Sequence, residues 1–433
     1  MSFVRSIGRI GLTALAVNII IGGGIFGLPS EVAGLVGRAS PLAVIAGGLL
    51  MGIVMGCFAE VASQFSEHGG AYLYIGKAFG SYPGLLAGWF TWLTTIGAAA
   101  ANVTLFVSYG AAFVPFAKSS AGRIVALLFV IAVATVANYV GVRSGARFSM
   151  LLAFAKLVPL AVLIAFGLAR FGAHPELITR QEIVGPGAAR WLDALLLLIF
   201  AYGGFEDSLI PLGEVKNPQK TVPIALGSAL AICIGVYTLL QFIVVAILGT
   251  SPSERPLAAT GAVLIGPASA LLISLGAMVA TYGNFSGILL ASPRLMFALA
   301  ENGQFPKFLG SVHERFKTPH RSIVVFGILT ALVAATGTFR WALLITTGST
   351  IFVYGGVCAA LIRLRRMSAE RSGFRLPAGV PLATIGVAMS LAVMTRLHWK
   401  ESIVLTATAL CATVMWMVAR NRGVKTKRNS VAV

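Results

Sequence analysis

Two glycine-rich interruptions, each set inside a long apolar run, are the stretches of this chain with chemistry to offer. The first reads Asn18-Ile-Ile-Ile-Gly22-Gly23-Gly24-Ile25-Phe26-Gly27-Leu28-Pro29, the second Phe200-Ala201-Tyr202-Gly203-Gly204-Phe205-Glu206-Asp207. Each glycine costs a helix about 1 kcal/mol relative to alanine, so the run Gly22 to Gly24 predicts a break. A break frees backbone groups that lipid cannot satisfy, and it persists only where protein buries it or water reaches it. Freed N–H groups at the start of a half-helix bind an anion such as a carboxylate. Freed carbonyls at the end of another half-helix bind an ammonium or a metal cation. Together the two breaks suit a zwitterion of the amino acid type. The alternative is that the glycines only let helices approach closely. Two interruptions in the first and sixth apolar spans, matching places if spans 1–5 and 6–10 repeat in opposite orientation, favour the binding reading.

Lys156 is the next candidate, in Leu-Leu-Ala-Phe-Ala-Lys156-Leu-Val-Pro159-Leu. On a helix, Arg147 lies roughly 13 Å toward one end and Arg170 roughly 21 Å toward the other. A lysine stem of about 6 Å cannot snorkel that far. A charged lysine at mid-membrane costs roughly 2.5–3.5 kcal/mol on insertion scales, so the side chain is expected to face the protein interior. Two roles stand open: an ammonium bonded to carbonyls that ties helices together, and a group that releases and recaptures a proton. Among the carboxylates, Glu60 is expected to be solvated or paired in a gate. Glu206 follows the second break as a proton site or a hinge ligand, and Glu214 braces a loop.

Three other patterns lead nowhere. Gly22-Gly23-Gly24-Ile25-Phe26-Gly27 satisfies G-x-G-x-x-G, but the dinucleotide motif needs a preceding strand and an acidic residue about 20 positions on, where Val44 stands. His313-Glu314 begins H-E-x-x-H, but Lys317 occupies the second ligand position. No Ser/His/Asp set or pair of intramembrane aspartates suggests a protease. The chain is read as a non-enzyme with no cofactor and no metal.

The elements that carry these residues follow from composition. Of 433 residues, 57% are hydrophobic and 11% charged. A soluble domain carries about 25% charged residues, so this composition predicts one all-α polytopic membrane bundle. The apolar runs divide into twelve spans, at about 8–36, 41–65, 83–116, 121–141, 146–170, 191–213, 222–250, 266–299, 321–338, 340–363, 378–397 and 402–420. The first span is expected to be retained, since it is long and lacks a small-residue cleavage site. The net charge of +19 does not predict nucleic-acid binding, because the basic residues are scattered between apolar runs. With the N-terminus inside, cytoplasmic segments collect most of the 33 Lys and Arg residues, so the positive-inside rule predicts both termini cytoplasmic. Cys57, Cys233, Cys358 and Cys411 fall inside apolar runs and read as small core residues.

The residues also carry a resemblance. Gly-Gly-Gly-Ile-Phe with Pro29 is similar to the first-span motif of the amino acid–polyamine–organocation permeases. His68-Gly69-Gly70-Ala71-Tyr72-Leu73-Tyr74 resembles the family's loop after span two. Gly213-Glu214-Val215-Lys216-Asn217-Pro218 to Pro223 resembles its loop after span six, and Ala300-Glu301-Asn302-Gly303-Gln304-Phe305-Pro306 its loop after span eight.

The resemblance, closest to the proton-coupled bacterial type, implies a leucine-transporter-like fold of 5+5 inverted repeats plus two C-terminal helices. The repeats would occupy residues 1–170 and 171–363, with the accessory helices and basic tail at 364–433. It further implies secondary active amino acid transport by alternating access, as symport or exchange, in the cell membrane. Carried over, the N–H groups of Gly22, Gly23, Gly24 and Ile25 would meet the substrate carboxylate. Carbonyls of Phe200, Ala201 and Tyr202, beside Gly203, would meet the amino group, and Phe26, Phe200, Tyr202 and Phe205 would close the pocket. Proton coupling would run through Lys156, with Asn284 and Ser286 as neighbours and Glu206 as a second candidate. The expected partners are an amino acid substrate, protons and the lipid bilayer. Small Gly23 and Ala201 beside aromatic Tyr202 and Phe205 tilt the substrate toward neutral amino acids. A sensor that kept the fold without transport is the reading from another class.

Overall fold

The computed structural model describes residues 7–64, 70–140, 156–173, 187–209, 215–301, 304–367 and 373–429, with side chains to Val418. His68, Gly69, Arg143, Arg147, Gly213, Glu214, Asn302 and Gly303 lie outside the described residues, as does the first half of the predicted fifth span. The described residues are overwhelmingly helical, and the only strand-like pairing among them is an isolated bridge between Ile7 and Val215.

The first predicted span is two helices, α1 (Arg9–Ile20) and α2 (Gly23–Val36). After them come α3 (Ser40–Ser63), α4 (Gly70–Phe79), α5 (Ser81–Gly110), α6 (Ser120–Val140), α7 (Leu157–Ala173) and α8 (Ala188–Tyr202). The rest are α9 (Pro218–Leu248), α10 (Pro256–Leu264), α11 (Pro267–Glu301), α12 (His320–Thr336), α13 (Phe339–Met367), α14 (Gly379–Met394) and α15 (Trp399–Asn429). Each predicted span holds helix. Eight stretches are long and apolar enough to cross a membrane by length and composition, and the helices Arg9–Ile20, Leu157–Ala173, His320–Thr336 and Gly379–Met394 are shorter.

The differences from the sequence reading have local causes. The third span stops at Gly110 and gives way to a 3₁₀ turn, Pro115–Lys118, because Pro115 has no N–H to continue a helix. The sixth stops at Tyr202. The short helices α4 and α10 were not anticipated, being too brief to register on a membrane ruler. Helix α9 starts with Pro218 at its first position, where the missing N–H is not needed.

Apolar packing sorts the helices into two principal cores. One gathers side chains from α1, α2, α3, α8, α9 and α13. The second gathers α5, α6, the C-terminal half of α11 and α12. Helix α7 touches α9 on one side and α11 on the other. Phe200 and Phe339 pack against both cores, so these two rings mark the seam.

Candidate functional site

The break in the first span is shorter than its glycines suggest. Only Ile21 (φ −73°, ψ 78°) and Gly22 (φ −113°, ψ −150°) leave the helical region. Gly23 and Gly24 are already helical, and they are glycine for another reason. A Cβ at Gly23 would lie 2.6 Å from Asn102 Oδ1, and one at Gly24 would lie 2.9 Å from the Ala201 Cα. The missing side chains let α2 close on α5 and α8. Gly22 is hemmed in as well, since a Cβ there would run into the Asn284 amide of α11.

Helix α2 begins buried and without a side-chain cap. Its opening N–H groups have no intrahelical acceptor, and a buried helix start of this kind favours an anion. The Gly22 N–H is already bonded to the Ile20 carbonyl at 2.7 Å. The donors left at the start of α2 are therefore Gly23, Gly24 and Ile25.

Three of the carbonyls in the last turn of α1 have partners outside the helix proper. Val17 accepts from the Ile21 N–H at 2.9 Å. Asn18 accepts from the Lys156 Nζ, which reaches it from the start of α7. Ile20 accepts from Tyr237 Oη on α9 at 2.8 Å. Lys156 is 4% exposed, and a helix C-terminus is where a buried cation is best tolerated. Ser286 sits two residues beyond Asn284 on α11 and is half-buried.

In the second break α8 ends at Tyr202 and Gly203 turns back, its N–H on the Phe200 carbonyl at 3.3 Å. Gly204 has φ +89°, a left-handed conformation in which only glycine is unstrained. A 3₁₀ turn, Phe205–Leu209, follows. The Ala201 carbonyl accepts from Tyr237 Oη at 3.2 Å. One tyrosine hydroxyl thus touches the carbonyl ends of both broken helices. Sequence reading missed Tyr237, which in α9 looks like any aromatic core residue.

The four aromatics proposed to close the pocket divide. Phe200 lies at the seam with its ring against Gly24. Phe26 is fully buried edge-on to Tyr109 at 6.1 Å. Tyr202 donates to the Val44 carbonyl at 2.9 Å and packs 5.2 Å from Tyr237. Phe205 packs on Phe58 and Tyr354 at 5.1 and 5.5 Å. A fifth ring, unforeseen, completes the wall. Phe339 meets Phe200 at 6.2 Å, and a Cβ at Gly27 would touch it at 2.7 Å.

The carboxylates are turned away from the α2 terminus. Glu206 Oε2 accepts from Tyr354 Oη at 2.8 Å. Glu60, 1% exposed, takes a two-pronged bond from Arg365 at 2.7 and 2.6 Å and the Leu376 N–H at 2.8 Å. Glu31 meets Arg340 at 3.4 Å, at the other end of α13. Cys57, Cys233 and Cys358 are buried free thiols, while Cys411 is exposed. Among the described residues no cluster of three or more His, Cys, Asp or Glu forms a metal-binding group.

Comparison with known proteins gives consistent results. The family model described as amino acid permease matches residues 7–419. The serine/threonine exchanger SteT of Bacillus subtilis is 28% identical over 337 residues, covering 76% of each chain. An uncharacterised transporter of Mycobacterium tuberculosis is 29% identical over 375 residues, 83% of this chain and 80% of its own. The methylthioribose transporter of Bacillus subtilis is 27% identical over 413 residues, 90% and 88% of the two chains.

Proposed function

Because the chain belongs to the amino acid permease family, a family of multi-pass membrane transporters, we propose that it carries neutral amino acids by alternating access, in symport with protons. The substrate carboxylate docks on the N–H groups of Gly23, Gly24 and Ile25 at the start of α2. The ammonium docks on carbonyls of Phe200, Ala201 and Tyr202 at the end of α8, with Phe200 and Phe339 over it. Protein carrying the site is read as two inverted five-helix repeats, 1–170 and 171–363, with residues 364–433 accessory. Both termini are placed on the cytoplasmic face of the cell membrane, in line with the basic residues of the tail.

The observation that carries the coupling is the buried Lys156 ammonium on the Asn18 carbonyl. It lies at the hinge of the first span, where no described carboxylate pairs with it. Loss of its proton would replace a charge-assisted bond with a weaker neutral one and loosen the end of α1, so binding at α2 and protonation at Lys156 would be linked through one short break. Glu206, held by Tyr354, is the second group that could carry a proton across the same hinge.

The test is uptake of labelled amino acids into proteoliposomes with and without an inward proton gradient. Gradient-stimulated uptake is expected, and Lys156→Ala should abolish the stimulation while leaving substrate exchange. Stimulation that survives Lys156→Ala would overturn the coupling role. The similarity to a serine/threonine exchanger favours obligatory exchange as the second reading. Uptake only into preloaded vesicles would establish it and leave Lys156 as a tether.

A further inference from the structure

Two side-chain oxygens near the first break, Asn18 Oδ1 and Asn102 Oδ1, are without a hydrogen-bond partner among the described residues, and the second lies against α2. Asn102, on α5, is 3% exposed. Its Nδ2 donates to the Ala98 carbonyl one turn back, at 2.8 Å. That bond fixes which way round the amide sits, since a carbonyl takes only a donor. Oδ1 is therefore the end presented away from α5, and it has no hydrogen-bond partner among the described residues. Its direction is given by Gly23, whose Cβ, if present, would lie 2.6 Å from it. A buried acceptor thus faces the first residue of α2, beside the uncapped N–H groups.

Neither the uncapped N–H groups of α2 nor any other described donor makes a hydrogen bond to this oxygen. Leu105 is the other side chain against Gly23, at 3.2 Å from the same Cβ position. The Lys156 ammonium bonds to the Asn18 carbonyl, and the Tyr237 hydroxyl to the Ile20 and Ala201 carbonyls. A carboxylate docked on α2 does not help either, because it is an acceptor facing an acceptor. A buried polar group left unsatisfied is expensive, so the ligand has to bring the donor. A cationic side chain fits poorly: Lys156 is charged near the same break, and Glu206 is turned to Tyr354.

We propose that Asn102 is a specificity-determining residue whose Oδ1 accepts a hydrogen bond from a neutral side-chain hydroxyl or amide of the substrate. The site then favours donor-bearing neutral amino acids over apolar ones of the same shape. This rests on the transport reading above and adds the substrate class to it. The mechanism is discrimination by an unpaired group. An apolar isostere that fills the space leaves the Asn102 oxygen without a partner, and sites built to hydrogen-bond a ligand reject such analogues strongly.

The experiment compares near-isosteres, threonine with valine and serine with 2-aminobutyrate, in proteoliposome uptake by one protein preparation. Vmax/KM should favour the hydroxylated member of each pair by about tenfold or more, the worth of one buried hydrogen bond. One variant removes the acceptor and a second draws it back from Gly23 onto a shorter side chain. Asn102→Leu keeps the volume, and Asn102→Thr can keep the bond to Ala98 as Thr91, Thr346 and Thr347 do to their own carbonyls four residues back. In either variant the hydroxylated substrates should lose and the apolar ones gain, so the ratio falls toward unity. The ratio does not depend on how much protein is active, and general damage cannot produce a crossing. Equal loss across all four substrates would mean that Oδ1 meets the common ammonium or nothing, and would overturn the inference while leaving transport intact. No uptake of any amino acid by the unaltered protein would overturn the transport reading itself.

Discussion

At Gly24 the site depends on an atom that is missing. A Cβ there would meet the Ala201 Cα at 2.9 Å, and backbone at the end of α8 cannot swing aside as a side-chain tip can. Forcing a methyl into such a contact costs about 1–3 kcal/mol, taken up here by prising α2 from α8. Gly24→Ala is therefore expected to fold with a lowered melting temperature and to lose amino acid uptake. Gly34, on the same helix, has open space around its Cβ position, and Gly34→Ala should transport normally. Full uptake by Gly24→Ala would show that the two half-helices need not touch. The glycines were legible in the sequence as a group, but their separate duties were not. Gly22 is in the break, whereas Gly23 and Gly24 are contact surfaces, and only neighbours distant in sequence distinguish them.

Among the elements, α13 is tied at both ends to the core that holds the broken helices. Arg340 meets Glu31 of α2 at one end, and Arg365 meets Glu60 of α3 at the other. The two pairs differ in weight. Arg340 and Glu31 are 47% and 39% exposed, and such surface pairs contribute about 0–1 kcal/mol. Glu60 is 1% exposed and also takes the Leu376 N–H. Removing Arg365 strands that carboxylate, at a cost of about 3 kcal/mol. Arg365→Ala should lower thermal stability and slow transport, and the swapped pair Glu60→Arg with Arg365→Glu should recover part of both. A swap no better than the single change, measured by melting and uptake together, would reduce the pair to an incidental contact. Sequence reading left Glu60 between solvation and a gate. Its partner is 305 positions away in the chain, beyond any local pattern.

For the whole molecule the notable feature is the seam between the two cores, with Phe200 and Phe339 packed against both. Protein interiors are close-packed and repack between discrete arrangements more readily than they deform. Helices α5 and α11 contribute side chains to both cores, so any such repacking has to involve them, and the proposed substrate position lies beside the two rings. Phe339→Ala removes one side of that wall between Gly27 and Phe200. We expect KM to rise about tenfold, roughly 1.4 kcal/mol of binding, with the proton stimulation retained. An unchanged KM in a concentration series would place the substrate elsewhere.

Helical class, membrane composition, the two interruptions and the buried lysine all came from the sequence, because each is a local property. Apolar length, helix-breaking glycine and an unmatched charge are set by the residues themselves and their near neighbours along the chain. Tertiary structure alone decided which groups meet. It placed Tyr237 across both breaks, Lys156 on the Asn18 carbonyl, Phe339 over Gly27 and the Asn102 oxygen against Gly23. In an all-apolar helix every face looks alike in sequence, since lipid and protein core are both hydrocarbon. What selects the inward residues is the matching of a few polar atoms across helices, and that matching exists only once the helices are packed.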